Sequence, residues 1–148
     1  MYTHGTQWTS SHGHLAFWGA YATIIIAVMY IALQKLRGDV WMSADLPDRG
    51  WKWKWGLGLQ SAGMMGMTMA LLVAGYVQSF VERAQEGSTW AGYFAAQNHV
   101  WFVQGMYWRE FWGAIMALGV IITVWDLLTI GKGETRPAQE FLASPHPA

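Results

Sequence analysis

The stretch His4-Gly-Thr-Gln-Trp-Thr-Ser-Ser-His12-Gly-His14-Leu-Ala-Phe-Trp-Gly-Ala-Tyr21 leads from a polar N-terminus into an apolar segment and carries three of the chain's five histidines. Each residue of a helix turns about 100°, so His12 and His14 would project about 200° apart. They could not bind one metal as neighbours, because that requires a spacing of three or four residues. Each could instead reach a partner on its own side. Since imidazole commonly ligates metals, including haem iron, this spacing favours a helix packed between two metal cofactors.

A second interpretation of the histidines is open at this point. A lone histidine in an apolar segment is ordinarily a core residue whose ring is satisfied by a hydrogen bond. Two histidines at i, i+2, with a third eight residues earlier, favour cofactor binding instead. Ionisable groups inside membrane helices are costly to bury and usually serve a function.

Composition is that of a membrane protein. Of the 148 residues, 53% are hydrophobic and only 12% are charged, whereas soluble domains carry about 25% charged residues. The formal net charge is zero, which gives no support to electrostatic nucleic-acid binding. The chain has no cysteine, and this excludes disulfides, thiolate metal sites and covalent haem attachment through Cys-x-x-Cys-His.

Three apolar segments are long enough to cross a bilayer, which takes about 20 residues. The first two, Leu15–Leu33 and Trp55–Val81, carry no charge over 19 and 27 residues. The third is uncharged over 111–125 and reaches the required length by including Arg109 and Glu110 at its interfacial end. We therefore predict an all-α membrane protein, a single membrane domain over 1–148, with helices at approximately 11–36, 54–82 and 98–130 and a polar tail over 131–148.

Local patterns refine the first two helices. Thr9, Ser10 or Ser11 is predicted to cap the first helix, since short hydroxyl side chains accept hydrogen bonds from first-turn N–H groups. In the second helix, small residues recur at every fourth position, a pattern typical of close helix packing in lipid; they are Gly58, Ala62, Gly66, Ala70 and Ala74.

The basic residues predict an orientation, because cytoplasmic loops are enriched in Lys and Arg. The first loop carries five of the nine Lys and Arg residues and the tail carries two. Placing both on the cytoplasmic side of the inner membrane puts the three N-terminal histidines at the periplasmic side and the C-terminus in the cytoplasm. An external first residue indicates that further protein belongs upstream, in the same reading frame or as a partner chain.

The pattern His4-Gly-Thr-Gln-x-Thr-x-x-His12-Gly-His14-Leu-Ala-Phe-x-Gly-Ala-Tyr21 resembles the haem-ligating helix of the catalytic subunit of bacterial nitric oxide reductases, in the haem–copper oxidase superfamily. Related oxygen-reducing oxidases usually carry an aspartate and an aromatic residue where this chain has Gly5 and Gly13. The resemblance extends through all three apolar segments, including Val77-Gln78 with Glu82-Arg83 and the stretch from Gln97 to Arg109. It implies the last three helices of a twelve-helix bundle.

The resemblance also implies roles and cofactors. His12 resembles the ligand of a high-spin haem b iron, and His14 resembles an axial ligand of a low-spin haem b iron. His4 resembles a residue beside the haem propionates, close to a divalent cation in some members, although Gly5 replaces the aspartate that oxidases carry there. The implied reaction is 2 NO + 2 e⁻ + 2 H⁺ → N₂O + H₂O. The implied electron donor is a cytochrome c-type subunit or a quinol.

The resemblance requires more ligands than this chain offers. The non-haem iron of the family needs three further histidines and the low-spin haem needs another, whereas His4, His99 and His146 are the only ones left. The remaining helices of the catalytic subunit would have to supply them. Two alternatives remain: part of an oxygen-reducing terminal oxidase, and a haem-binding or structural membrane subunit without catalytic chemistry.

Overall fold

The computed structural model describes residues 5–37, 50–84 and 89–129, and nearly all of them are helical. The predicted site residue His4 and the predicted polar tail over 131–148 lie outside these residues. No strand occurs in the described ranges. The elements in chain order are α1 (Gln7–Ala16), a π-helical segment (Phe17–Ala22), α2 (Thr23–Arg37), α3 (Gly50–Ala84), α4 (Thr89–Gln97) and α5 (Val100–Thr129).

Three stretches of helix are long and apolar enough to cross a membrane. The most apolar 18-residue window has a mean hydropathy of 2.0 in Gln7–Leu33 (27 residues), 1.5 in Trp51–Ala84 (34 residues) and 1.9 in Val100–Thr129 (30 residues). The prediction of an all-α membrane protein with three spanning helices is therefore confirmed. The first helix begins at Gln7, earlier than predicted, so the histidine pair lies one turn deeper in it.

Helices α3 and α5 form the core as an antiparallel pair. Gly56 lies opposite Thr123, Gly63 opposite Met116, and Ala74 opposite Gly105, so the contacts run in opposite directions along the two helices. The approach is close because glycine leaves room for the partner's backbone. A Cβ placed on Gly63 would lie 2.5 Å from the backbone nitrogen of Met116.

Helix α1 lies against the second half of α3 and is antiparallel to it. Gly75 of α3 meets the backbone of Trp8, and the Ser11 hydroxyl donates a hydrogen bond of 2.9 Å to the carbonyl of Thr68. The start of α1, the end of α3 and the start of α5 therefore lie at the same end of the bundle. The histidine pair lies further along α1, beside the middle of α3, since the adjacent Ser11 contacts Thr68.

The π-helical segment separates the histidine-bearing turns from the rest of the first helix. The backbone N–H of Thr23 donates to the carbonyl of Trp18, five residues earlier, and the Thr23 hydroxyl donates to the same oxygen at 3.1 Å. One extra residue in a turn rotates everything beyond it, and such bulges are frequent at functional sites. The face that α2 presents is consequently offset from the face that α1 presents.

Candidate functional site

His12 and His14 lie in the second turn of α1 and both are exposed within this chain. Because α1 is regular over Gln7–Ala16, two residues correspond to a rotation of about 200°. The two imidazoles thus leave the helix on nearly opposite sides. This geometry suits two separate partners and does not suit a single shared metal.

A hydrogen bond places a hydrogen on Nδ1 of His14. Its Nδ1 lies 2.7 Å from the carbonyl oxygen of Ser10, one turn earlier, and 3.4 Å from the Ser10 hydroxyl. A carbonyl oxygen can only accept, so Nδ1 carries the hydrogen, and in the neutral form of this ring the lone pair lies on Nε2. Metal-ligating histidines commonly use this arrangement, in which the second nitrogen donates to a backbone carbonyl and fixes the tautomer.

His12 is oriented differently. Its imidazole makes no hydrogen bond to any residue that the structure describes, so either ring nitrogen can face a partner outside this chain. The neighbouring Ser11, in contrast, is buried and holds the helix to α3. The turn therefore presents its histidines outward while the serine between the helices fixes its rotation.

The flanks of the first helix leave room for a large planar group. A Cβ placed on Gly13 or on Gly19 would meet no atom within 4 Å. Phe17 is 71% exposed and Tyr21 is 64% exposed. Only 6% of the most apolar window of this span is buried within the chain, against 44% for the second span. The donor atoms and the open apolar flanks both fit haem groups.

His99, Arg109 and Glu110 make their side-chain contacts with residues of α5. His99 precedes α5 and accepts a hydrogen bond at its Nδ1 from the backbone N–H of Trp101 at 3.3 Å, which is how an N-cap residue acts. Arg109 and Glu110 pair with each other about three turns into α5. Across the described ranges, no group of three or more His, Asp or Glu residues could hold a metal ion.

Two buried polar contacts between helices were not predicted from the sequence. The Tyr30 hydroxyl donates to the Asp126 carboxylate at 2.9 Å and joins α2 to the end of α5, where Asp126 is only 4% exposed. Between α3 and α5, the buried Gln60 amide donates to the carbonyl of Gly119 at 3.2 Å and to the Thr123 hydroxyl. The first contact could have been suspected from the sequence, because Asp126 is an acidic residue in an otherwise apolar span and Tyr30 lies in another span.

Comparison with known proteins gives a family match and a match to a curated relative. The protein family described as Cytochrome C and Quinol oxidase polypeptide I matches residues 1–121. A nitric oxide reductase subunit of Stutzerimonas stutzeri is 42% identical over 84 residues, which cover 55% of this chain and 17% of that subunit. The chain thus spans only a small part of the length of this curated relative. No solved structure matches this chain significantly.

Proposed function

Because this chain belongs to the Cytochrome C and Quinol oxidase polypeptide I family, the haem–copper oxidase superfamily, we propose that it is part of the catalytic subunit of a nitric oxide reductase. The family consists of oxidoreductases embedded in membranes. The finer assignment, reduction of NO to N₂O, is supported by the identity to the nitric oxide reductase subunit of Stutzerimonas stutzeri. It is also supported by the glycines at positions 5 and 13, where related oxidases carry other residues.

The single observation that carries the proposal is the pair of outward-facing imidazoles on one helix. In it, His12 binds the iron of a high-spin haem b, and His14 binds the iron of a low-spin haem b through Nε2. The hydrogen bond from His14 Nδ1 to the Ser10 carbonyl holds the ring plane and the tautomer that this ligation requires. When bound, the two haems supply electron transfer and, with a non-haem iron, a place for nitric oxide.

Residues of this chain orient the cofactors in two ways. The helix backbone between His12 and His14 fixes the distance and the angle between the two ligated groups. The small residues Gly13 and Gly19 keep its flanks clear. His4 remains a proposed neighbour of the haem propionates and of a divalent cation.

The remaining ligands come from other helices in this proposal. The described ranges hold no cluster that could bind the non-haem iron, and the matched part of the chain covers 17% of the length of its relative. We propose that residues 1–148 form a single membrane domain that assembles with the other helices of the subunit. A cytochrome c-type subunit or a quinol donates the electrons.

The chain is a membrane protein by its three spans and its family. We propose the inner membrane, with the histidine end towards the periplasm and the C-terminus in the cytoplasm. This orientation is supported by the concentration of basic residues in the first loop and the tail. A fluorescent or phosphatase fusion after residue 148 in cells would test it, because only a cytoplasmic C-terminus keeps the phosphatase inactive.

The second candidate function, oxygen reduction, is favoured by the family description itself, which names cytochrome c and quinol oxidases. The two are separated by substrate. The assembled complex should consume NO under anaerobic conditions with a stoichiometric yield of N₂O. Rapid oxygen uptake together with no NO consumption would favour the oxidase instead.

The ligand assignment is tested in the complete complex by absorption difference spectra of His12→Ala and His14→Ala. We expect His12→Ala to lose the high-spin signal and retain the low-spin one, and His14→Ala to do the reverse. His99→Asn serves as the control, since asparagine preserves the N-cap of α5 and should leave both signals intact. Unchanged spectra in both alanine variants would contradict the assignment and favour a structural subunit.

A further inference from the structure

The first turn of α1 has an unusual source for its cap. The preceding Thr6 makes no capping hydrogen bond with its side chain, although the first-turn N–H groups of any helix lack intrahelical partners. The Gln7 N–H instead donates to Oε1 of Gln78, a residue of α3 that lies 71 positions later, at 3.1 Å. The Gln78 side chain is 3% exposed. A tertiary contact therefore supplies the cap of the histidine-bearing helix.

The direction of the Gln78 amide is fixed by a second residue. Its Nε2 donates to Oε1 of Glu82, one turn further along α3, at 3.0 Å. A carboxylate accepts hydrogen bonds and cannot donate them, so the nitrogen side of the amide must face Glu82. The oxygen side is then left for Gln7. Glu82 thereby prevents the flipped amide, which would set two donors against each other.

Other residues of α3 also contact the N-terminal part of α1. Thr68, Gly75, Gln78 and Glu82 are spaced by seven, three and four residues, which places them along one face of the helix. Gly75 meets the backbone of Trp8 so closely that any side chain there would overlap it. The Ser11 hydroxyl reaches the Thr68 carbonyl. Position and rotation of the turn are both determined by this face.

The capped turn leads directly to the His14 imidazole. It runs from Gln7 to Ser10, and the carbonyl of Ser10 accepts the hydrogen of His14 Nδ1 at 2.7 Å. If the cap is lost, the first turn frays, and the carbonyl that orients the ring moves with it. The path from the Gln78 amide to the imidazole thus consists of one turn of helix and two hydrogen bonds.

We propose that Gln78, oriented by Glu82, is a positioning residue for the ligand His14. This inference rests on the proposed function, because it takes His14 as the ligand of the low-spin haem. It assigns to α3 a task beyond packing, namely setting the plane of an imidazole on another helix. Removal of an outer partner of a metal-bound histidine typically costs 10- to 100-fold in metal affinity or activity.

The test compares Gln78→Leu, Glu82→Leu and Glu82→Gln in the complete, haem-loaded complex. The readouts are the electron paramagnetic resonance signal of the low-spin haem, NO turnover, and the temperature of half-inactivation. We expect Gln78→Leu to broaden and shift the low-spin signal and to lower turnover about tenfold, the lower end of that range. Glu82→Leu should change both in the same direction. Glu82→Gln should behave as the parent, because its amide oxygen accepts the same hydrogen bond.

Two results would overturn the inference. One is a parental low-spin signal in both leucine variants, even with a lowered inactivation temperature, because a purely structural role predicts lost stability without a changed ligand. The other is a Glu82→Gln variant that resembles Glu82→Leu. If Gln78→Leu fails to assemble, the two Glu82 variants decide alone. The His14→Ala variant distinguishes a failure of the proposed function from a failure of this inference alone. An unchanged low-spin signal in that variant refutes both.

Discussion

The close approach of α3 and α5 makes a quantitative prediction for Gly63→Ala. The added Cβ would lie 2.5 Å from the Met116 nitrogen and 2.7 Å from its Cα, whereas ordinary contact begins at 3.4 Å. The two helices would have to separate locally by about 1 Å, and such overpacking costs about 1–3 kcal/mol. Backbone atoms of α5 cannot turn aside as a flexible side chain can, so the cost should be realised.

Gly113→Ala on α5 is the matched control. Its Cβ would meet only the Met67 sulfur at 3.9 Å, which is normal contact. Both substitutions gain the same helix propensity, about 1 kcal/mol, so this contribution cancels between them. We expect Gly63→Ala to be less stable than Gly113→Ala by about 1–3 kcal/mol, measured from the midpoints of SDS-induced unfolding of the complex. Equal midpoints would refute the described register of α3 against α5.

Three further substitutions test individual contacts. Tyr30→Phe removes the hydrogen bond to the buried Asp126 carboxylate and should destabilise the complex by about 1–3 kcal/mol; a loss below measurement error in the same unfolding assay would show that this pair does not join α2 to α5. Ser11→Ala removes the bond to the Thr68 carbonyl and should speed hydrogen exchange of the first helix by about fivefold or more, the equivalent of about 1 kcal/mol; unchanged exchange there would contradict the contact. His99→Leu should cost about 1 kcal/mol by loss of the N-cap while His99→Asn costs less, and a haem signal lost in both would instead identify a ligand.

The spanning helices could be predicted because they depend on composition over long windows. Uncharged stretches such as Leu15–Leu33 and Trp55–Val81 have few alternatives to a helix across a bilayer, since every backbone polar group must be satisfied within the segment. The predicted segments correspond to the three observed spans. The predicted start of the first helix was wrong. Thr9, Ser10 and Ser11 are residues that commonly cap a helix, but the observed cap is the Gln78 side chain, and the helix begins at Gln7.

The stripe of small residues on α3 was only half informative. Ala70 and Ala74 are buried at 9% and 0% exposure, but Gly58 and Ala62 are exposed within this chain. A spacing of four residues advances about 40° beyond one full turn at each step. Over the length of the stripe this rotates the small residues away from α5. In the first half of α3 the contact with α5 is made by other residues, including Gly56 and Gly63.

The candidate site likewise has one feature that could be predicted from the sequence and others that could not. The divergence of His12 and His14 follows from helix geometry and needs no tertiary information. The tautomer of His14 depends on the distance to the Ser10 carbonyl, and the orientation of the turn depends on contacts with α3. The π-helical segment Phe17–Ala22 had no recognisable signal in the residues it contains. Such features arise from packing between segments that are distant in sequence.

The most direct measurement is a cryo-electron microscopy map of the complete complex at a resolution that defines side chains and porphyrins. We expect two haems on opposite sides of α1, with a His12 ring nitrogen bonded to one iron and Nε2 of His14 bonded to the other. The hydrogen bond from His14 Nδ1 to the Ser10 carbonyl should persist in that map. Imidazoles that contact only protein or lipid, with no porphyrin beside either, would contradict this expectation.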